Sequence, residues 1–179
     1  NALNANPWII NAEVALNLKE YLDVEVEECE PIVRVYGKNG KSVYIDNDGD
    51  IYPTNNQYVP RLLVVSGVDF PVDKLGNVND EVYVKTKLPQ TFNLVKEVLN
   101  DNYSKSCVRQ IHYDKKKNYI FSVNNTNIIV IFGDVNDIGE KLLKMKHFFD
   151  QMQGNPELDN YKEINLNYKN QVVCTKIKK

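Results

Sequence analysis

The sequence predicts an α+β protein: a β-hairpin followed by a mostly antiparallel β domain with two helices. Three observations carry this. Apolar residues alternate with polar ones in Ala12, Val14, Leu16 and Leu18 and again in Leu22, Val24 and Val26, the period of a half-buried strand. Asn39-Gly40 and Asp48-Gly49 separate further short apolar runs, and both dipeptides tolerate the positive φ that type I′ hairpin turns require. Ile138, Leu142, Met145, Phe149 and Met152 follow one another at intervals of 4, 3, 4 and 3, one continuous stripe along a helix.

Taken in order, Pro7 suits a tight turn or a first helical turn. Residues 9–30 then form an antiparallel hairpin turning at Lys19-Glu20-Tyr21, with Asp23, Glu25 and Glu27 on its wet face. After Pro31, Ile32–Tyr36, Ser42–Ile45 and Ile51–Tyr52 give three strands joined by the two glycine turns. Pro53 to Pro60 is loop, Leu62–Ser66 a short strand stopped by Gly67, and residues 67–81 a loop rich in turn formers. Pro89 fits the first turn of a helix whose apolar face is Phe92, Val95, Val98 and Leu99, ending near Asn100. Strands at Val108–Tyr113, Tyr119–Val123 and Ile128–Phe132 precede the second helix, capped by Asn136 or Asp137 and ended by Gly154. Two closing strands, Tyr161–Tyr168 and Gln171–Ile177, meet at a two-residue turn, Lys169-Asn170.

The composition bounds the function. The 179 residues are 42% hydrophobic and 26% charged, with net charge −2, the make-up of a globular chain. A scattered basic set and a pI near 5.8 argue against a nucleic-acid partner. No apolar run approaches the roughly 20 residues of a membrane span. Asn1-Ala2 resembles the remnant of a cleaved tag. Cys29, Cys107 and Cys174 form no CxxC pair and are odd in number, which speaks for small buried residues rather than disulfides or zinc.

No catalytic constellation emerges. Gly37 to Ser42 looks like a phosphate loop, but Val35 stands where the first glycine belongs and a strand follows. Asp46-Asn47-Asp48-Gly49-Asp50 looks like a calcium loop, but Ile51 replaces the glycine at position six and Gln57 the final glutamate. His112 and His147 have no nearby serine or cysteine in sequence, so both read as surface or boundary residues. Glu25, Glu27, Glu28 and Glu30 could supply a carboxylate pair but suit a solvated strand face better. The sequons at Asn102 and Asn124 are chance triplets in an asparagine-rich chain. The final strand, alternating Val172 and Cys174 with Gln171, Val173 and Thr175, leaves two readings equal: an edge covered within the chain, or an open edge that accepts a partner strand.

Ordered motifs from about Asn6 to Lys176 resemble the FtsQ/DivIB family of bacterial cell-division proteins. Asn6-Pro7-Trp8-Ile9 is similar to the step before the last hairpin of the family's small POTRA domain. Val24 to Arg34, with Pro31 and Arg34, resembles its domain junction, and Tyr44 to Tyr52 its Asp–Gly hairpin. Val59-Pro60-Arg61-Leu62 with Ser66-Gly67, Gly133-Asp134 with Glu140-Lys141-Leu142, and Ile164 to Tyr168 with Val172-Val173 complete the series. The resemblance implies the C-terminal part of a POTRA domain at residues 3–30 and an FtsQ-type β domain at 31–179. It implies a non-catalytic scaffold at the division septum, outside the cytoplasm, held to the cytoplasmic membrane by a single upstream span. Its partners would be FtsB/FtsL-type proteins captured by strand addition, with no cofactor and no metal. Carried onto this chain, the partner contacts are Leu166, Tyr168, Gln171, Val172, Val173, Cys174, Thr175 and Lys176, and Pro31 and Arg34 form the domain hinge. The family's Asp-Leu-Arg is Asn165-Leu166-Asn167 here, so backbone pairing carries over better than side-chain contacts. Two other classes compete: a POTRA-bearing polypeptide-transport protein, which would bring repeated modules or a barrel, and a secreted cell-wall hydrolase, which would need clustered carboxylates or a metal site.

Overall fold

A computed structural model describes residues 3–17, 21–54 and 60–177. The expected turn at Lys19-Glu20, Val59 of the Val-Pro-Arg-Leu motif, and Asn1-Ala2 lie outside the described residues. A 3-10 turn at Leu3–Ala5 leads into β1 (Ile9–Leu16), which pairs antiparallel with β2 (Leu22–Glu28) as a separate two-stranded sheet. The register sets Ala12 against Val26, Val14 against Val24 and Leu16 against Leu22 on one face. Glu13 lies opposite Glu25 on the other.

The rest is one ten-stranded mixed sheet. Its strands are β3 (Pro31–Tyr36), β4 (Ser42–Asp46), β5 (Asp50–Pro53), β6 (Leu63–Ser66), β7 (Gly76–Asn77), β8 (Val108–Asp114), β9 (Asn118–Val123), β10 (Ile129–Gly133), β11 (Tyr161–Asn165) and β12 (Val173–Lys176). They lie in the order β12-β11-β10-β9-β8-β6-β3-β4-β5-β7. Six neighbouring pairs are antiparallel, and three, β3–β6, β6–β8 and β10–β11, are parallel. Helices α1 (Glu81–Val84), α2 (Leu88–Asn100) and α3 (Asn102–Cys107) connect β6 to β8, and α4 (Ile138–Met152) connects β10 to β11. A helical crossover returns the chain to the same end of the sheet, which makes those two joints parallel.

The two helices expected from periodicity are α2 and α4, and two short ones, α1 and α3, join them. Pro89 sits in the first turn of α2. Asp101 caps α3 by accepting from the Ser104 N–H at 2.8 Å. Asp137 is the N-cap of α4, but it stands in the left-handed region and its side chain makes no capping bond. The turns differ from the type I′ expectation. Only Gly40 and Gly49 of the two dipeptides take positive φ, 79° and 90°. The β4–β5 loop therefore suits a type I turn closed by a left-handed glycine, the commonest three-residue hairpin connection.

The core lies between one sheet face and α2 and α4. Val33, Val35, Ile45, Val65, Ile111, Phe121 and Phe132 from the strands meet Leu94, Val95, Val98 and Met145 from the helices. Phe121 and Phe132 stack with centroids 4.5 Å apart. On the opposite face a register row crosses the sheet: Tyr52, Tyr44, Arg34, Val64, Gln110, Ser122, Ile129, Glu163 and Thr175. Its aromatic end is covered: the Trp8 ring packs edge-on against Tyr44 at 5.4 Å and lies 6.1 Å from Tyr52.

Candidate functional site

The final strand is the site the sequence proposed, and its geometry begins with β11. The β11–β12 ladder sets Asn165 against Val173, Ile164 against Cys174 and Glu163 against Thr175. The connection between them runs from Leu166 to Val172, so the expected two-residue turn at Lys169-Asn170 is instead a seven-residue loop. Asn170 takes positive φ in it. The shortening has a cause in the core. Leu166 is fully buried, and its N–H donates to the Ile131 carbonyl at 3.0 Å. Its own carbonyl accepts from Lys144 Nζ at 2.6 Å, and that ammonium also reaches the Tyr168 carbonyl at 2.9 Å. Leu166 thus turns off the ladder to fill the core, and Lys144 clamps the loop behind it.

The structure brings part of the predicted set together. Val173, Cys174, Thr175 and Lys176 form β12, and Gln171 and Val172 lead into it. Val172 and Cys174 pack against the core, while Val173, Thr175 and Lys176 are exposed. Tyr168 is 47% exposed on the loop. Leu166 is the exception: its side chain belongs to the core and is closed to any partner. The Lys176 ammonium lies 5.5 Å above the Tyr161 ring.

Among the described residues, β12 has one neighbour, β11, and so its other side is a sheet edge. The Ile177 N–H donates inward to the Asn160 carbonyl at 2.8 Å. Backbone polar groups alternate sides along a strand. Those of Val173 and Thr175 therefore face β11, and those of Cys174 and Lys176 face outward. The opposite edge of the sheet is different in kind. β7 is two residues long, and the Asn77 N–H and side chain are held by Asp80, Asp50 and the Asp48 carbonyl.

At the junction, Pro31 opens β3 opposite Asp46. Arg34 donates from Nε and Nη2 to Ser42 Oγ at 3.1 and 3.0 Å and stacks over Tyr36 and Tyr44. Asp46, within the loop that resembled a calcium site, is 8% exposed and already engaged. It accepts from the Asp48 and Asp50 N–H groups and from the Tyr52 hydroxyl. Burial and that bond to Asp46 push the Tyr52 phenol well above its ordinary range. Burial, with Asp46 nearby, pushes the Cys29 thiol up to about 11. Sequence reading found Trp8 and Arg34 by motif but not the seat that Tyr44 and Tyr52 make for Trp8. The signal was their alternation with Val43, Ile45 and Ile51, which sets two tyrosines on the face away from the core.

One local pairing escaped the sequence. Ser66 Oγ lies 3.0 Å from His112 Nδ1 and accepts from Gln110 Nε2 at 3.0 Å. The three residues sit on neighbouring strands of the open sheet face, β6 and β8, 44 and 46 positions apart in the chain. Among the described residues, no group of three or more His, Cys, Asp and Glu side chains is arranged to hold a metal ion. No described helix is long and apolar enough to cross a membrane.

Against known proteins, a family model described as FtsQ/DivIB, C-terminal related, matches residues 30–175. The match begins one residue before β3 and ends in β12, so it spans the ten-stranded sheet from its first strand to its last. No curated protein sequence matches the chain.

Proposed function

The chain belongs to the FtsQ/DivIB-related family, and with it to cell division; on that premise we propose that it is a non-catalytic scaffold that captures a division partner by strand addition along β12. The observation that carries this is the outward row of backbone groups at Cys174 and Lys176, on a strand with a single neighbour. An open edge of this kind binds an extended segment through main-chain hydrogen bonds, and the outward side chains select it. Val173 and Thr175 on one face, with Tyr168 and Gln171 beside the strand, are the side chains available to do so. Leu166 holds the loop in place from within the core.

The proposed partners are FtsB/FtsL-type proteins, met outside the cytoplasm at the septum, with a membrane span upstream of this chain as anchor. Residues 3–30 are then the C-terminal part of a POTRA domain. The exposed apolar face made by Val14, Leu16, Leu22 and Val24 is the surface that the remainder of such a domain would cover. Residues 31–179 are the β domain, and Pro31 and Arg34 with Trp8 form the joint.

The test is a calorimetric titration of the chain with the soluble tail of the FtsB-type protein from the same organism, repeated with Lys176→Pro. Proline removes the outward N–H and leaves the inner ladder intact. Saturable binding by the parent and a loss of about tenfold or more in the folded variant support strand addition. Equal binding by both sinks the edge as the site.

A further inference from the structure

A second surface, in the middle of the sheet and away from the β12 edge, has a chemistry of its own. A groove of about 770 Å³ opens where the parallel strands β3, β6 and β8 begin and the last turn of α2 passes beneath them. Its size is that of a ligand cleft. Ile32, Leu62 and Leu99 give it an apolar floor, and Arg34, Arg61, Lys96, Lys105 and Arg109 line it. Among the described residues, no carboxylate does. Three of these cations are held by neutral neighbours. Arg34 donates to Ser42 Oγ, Lys96 to the Asn47 carbonyl at 3.1 Å, and Arg109 to Asn124 Oδ1. Ion pairs among the described residues use other lysines: Lys38, Lys41, Lys117 and Lys141. A cleft at the opposite ends of the same strands makes the contrast. Its lysines, including Lys38, Lys85 and Lys115, share it with Asp69 and Asp114.

The imbalance follows from the chain's charge layout. Residues 1–30 carry one lysine and seven carboxylates, whereas residues 31–179 carry 21 cations and 17 carboxylates. The near-neutral whole therefore hides a cationic domain. Five cations lining one groove, with no carboxylate among its described lining residues, repel one another, and an anionic partner relieves this. A purely anionic polymer would satisfy the rim and leave the floor of isoleucine and leucine unused. An extended peptide alternating acidic and apolar residues would satisfy both.

We propose that this groove is a docking site for an acidic, amphipathic peptide segment of a second protein partner, separate from the β12 edge. Five strand spacings divide β6 from β12, about 24 Å. One partner at the edge and another in the groove can be held at once.

The experiment is fluorescence anisotropy on the full chain at 50 mM salt, with a labelled twelve-residue peptide in which Glu alternates with Leu and Ser. Competitors are the same peptide with Gly in place of Leu, and inorganic polyphosphate. The expected result is saturable binding, weakened about tenfold by the double variant Arg61→Glu, Lys105→Glu. Both residues are exposed, so their replacement leaves the fold intact. Arg61→Gln, with a smaller loss, serves as a second variant should the double one unfold. The glycine peptide should bind at least about fivefold more weakly, and Lys176→Pro should bind the parent peptide unchanged. No binding, or equal binding by the charge-reversed variant, overturns the site. Equal affinity for the glycine peptide and polyphosphate overturns the peptide as occupant. Loss in Lys176→Pro overturns the separateness of the two surfaces. Self-association of the chain that the double variant abolishes would assign the groove to a second copy.

Discussion

Replacing Leu166 by alanine separates a structural role from a binding role at the end of the chain. Leu166 is fully buried in the core cluster, between β11 and the loop clamped by Lys144. Leucine-to-alanine changes at such positions cost about 3–5 kcal/mol, the transfer term plus a residual cavity. A loss of about 3 kcal/mol in a chain of this length lowers the melting temperature by about 6–12 °C. After a loss of about 3 kcal/mol, a domain that begins with about 5–15 kcal/mol retains at least about 2, and more than 95% of the molecules stay folded at 25 °C. Affinity at 25 °C therefore changes less than about twofold if Leu166 acts only through the core. Circular dichroism melts give the first quantity, and calorimetric titration with the FtsB-type tail gives the second. Tyr168→Ala is the mirror image: the side chain is 47% exposed, so stability moves by no more than about 0.5 kcal/mol while affinity falls. A melting shift below about 2 °C for Leu166→Ala, or a tenfold loss of affinity with folding intact, would refute the core assignment.

Trp8→Ala removes the ring that seats the hairpin on Tyr44 and Tyr52. Amide exchange of β1 and β2 should accelerate at least about tenfold, for a loss of a little over 1 kcal/mol, with β8–β10 unaffected. Asp134 is held below the usual carboxylate range, chiefly by its hydrogen bond with the buried Lys141 ammonium at 2.6 Å. Because the folded value is lowered, the stabilisation is present above about pH 4 and fades as pH falls through the folded value. The melting-temperature gap between the parent and Asp134→Asn should therefore be widest near neutral pH and close in acid, and a gap independent of pH would contradict it. Burial raises the Cys29 and Cys107 thiols to about 11. Their alkylation by iodoacetamide at pH 8, followed by mass spectrometry, should run at least about a hundredfold slower than that of a free thiol and become rapid in denaturant. Gly133→Ala should destabilise the β10 end. Its φ is 81°, and a Cβ there would strike the Asn167 side chain; a melt unchanged within 1 °C would show that Asn167 moves aside.

Most element positions were legible because alternation and helical spacing are local properties. Ile138 to Met152 fixed α4, and Val108 to Phe132 fixed the three strands of the β8–β10 meander within a residue. Strand direction was less visible, since alternation looks the same in parallel and antiparallel pairs. The cue available was the helices themselves: a strand, a helix and a strand in succession, as in β6-α2-β8, call for a parallel joint. The last turn was misjudged for a different reason. Tyr161 to Tyr168 keeps an alternating pattern, so nothing local shows that Leu166 leaves the ladder for the core. The groove was invisible because Arg34, Arg61, Lys96, Lys105 and Arg109 come from four separated segments and meet only when β3, β6 and β8 align. The same holds for Ser66 and His112.

The two ends of the sheet differ in how they meet the problem of specificity. An exposed sheet edge invites indiscriminate pairing, and proteins blunt such edges by shortening or covering them. Here one end is blunted: β7 has two residues, and Asp80 accepts from the Asn77 N–H with its carboxylate and donates its own N–H to the Asn77 carbonyl. At the other end β12 runs for four residues with its outward groups at Cys174 and Lys176 open. Its protection is partial, a lysine at the exposed tip and a short length, and the proposed partner strand would add there. A four-residue ladder gives few hydrogen bonds, each contributing about 1 kcal/mol net, so backbone pairing alone would be weak. Useful affinity then requires a second point of attachment. The cationic groove about 24 Å away meets that need if two bound segments belong to one assembly, because linked sites raise the effective concentration of each other's ligand. Weakening either surface alone would then lower the affinity for the joint assembly by up to the same factor as it lowers binding of that surface's own peptide, while leaving the other surface's peptide unchanged.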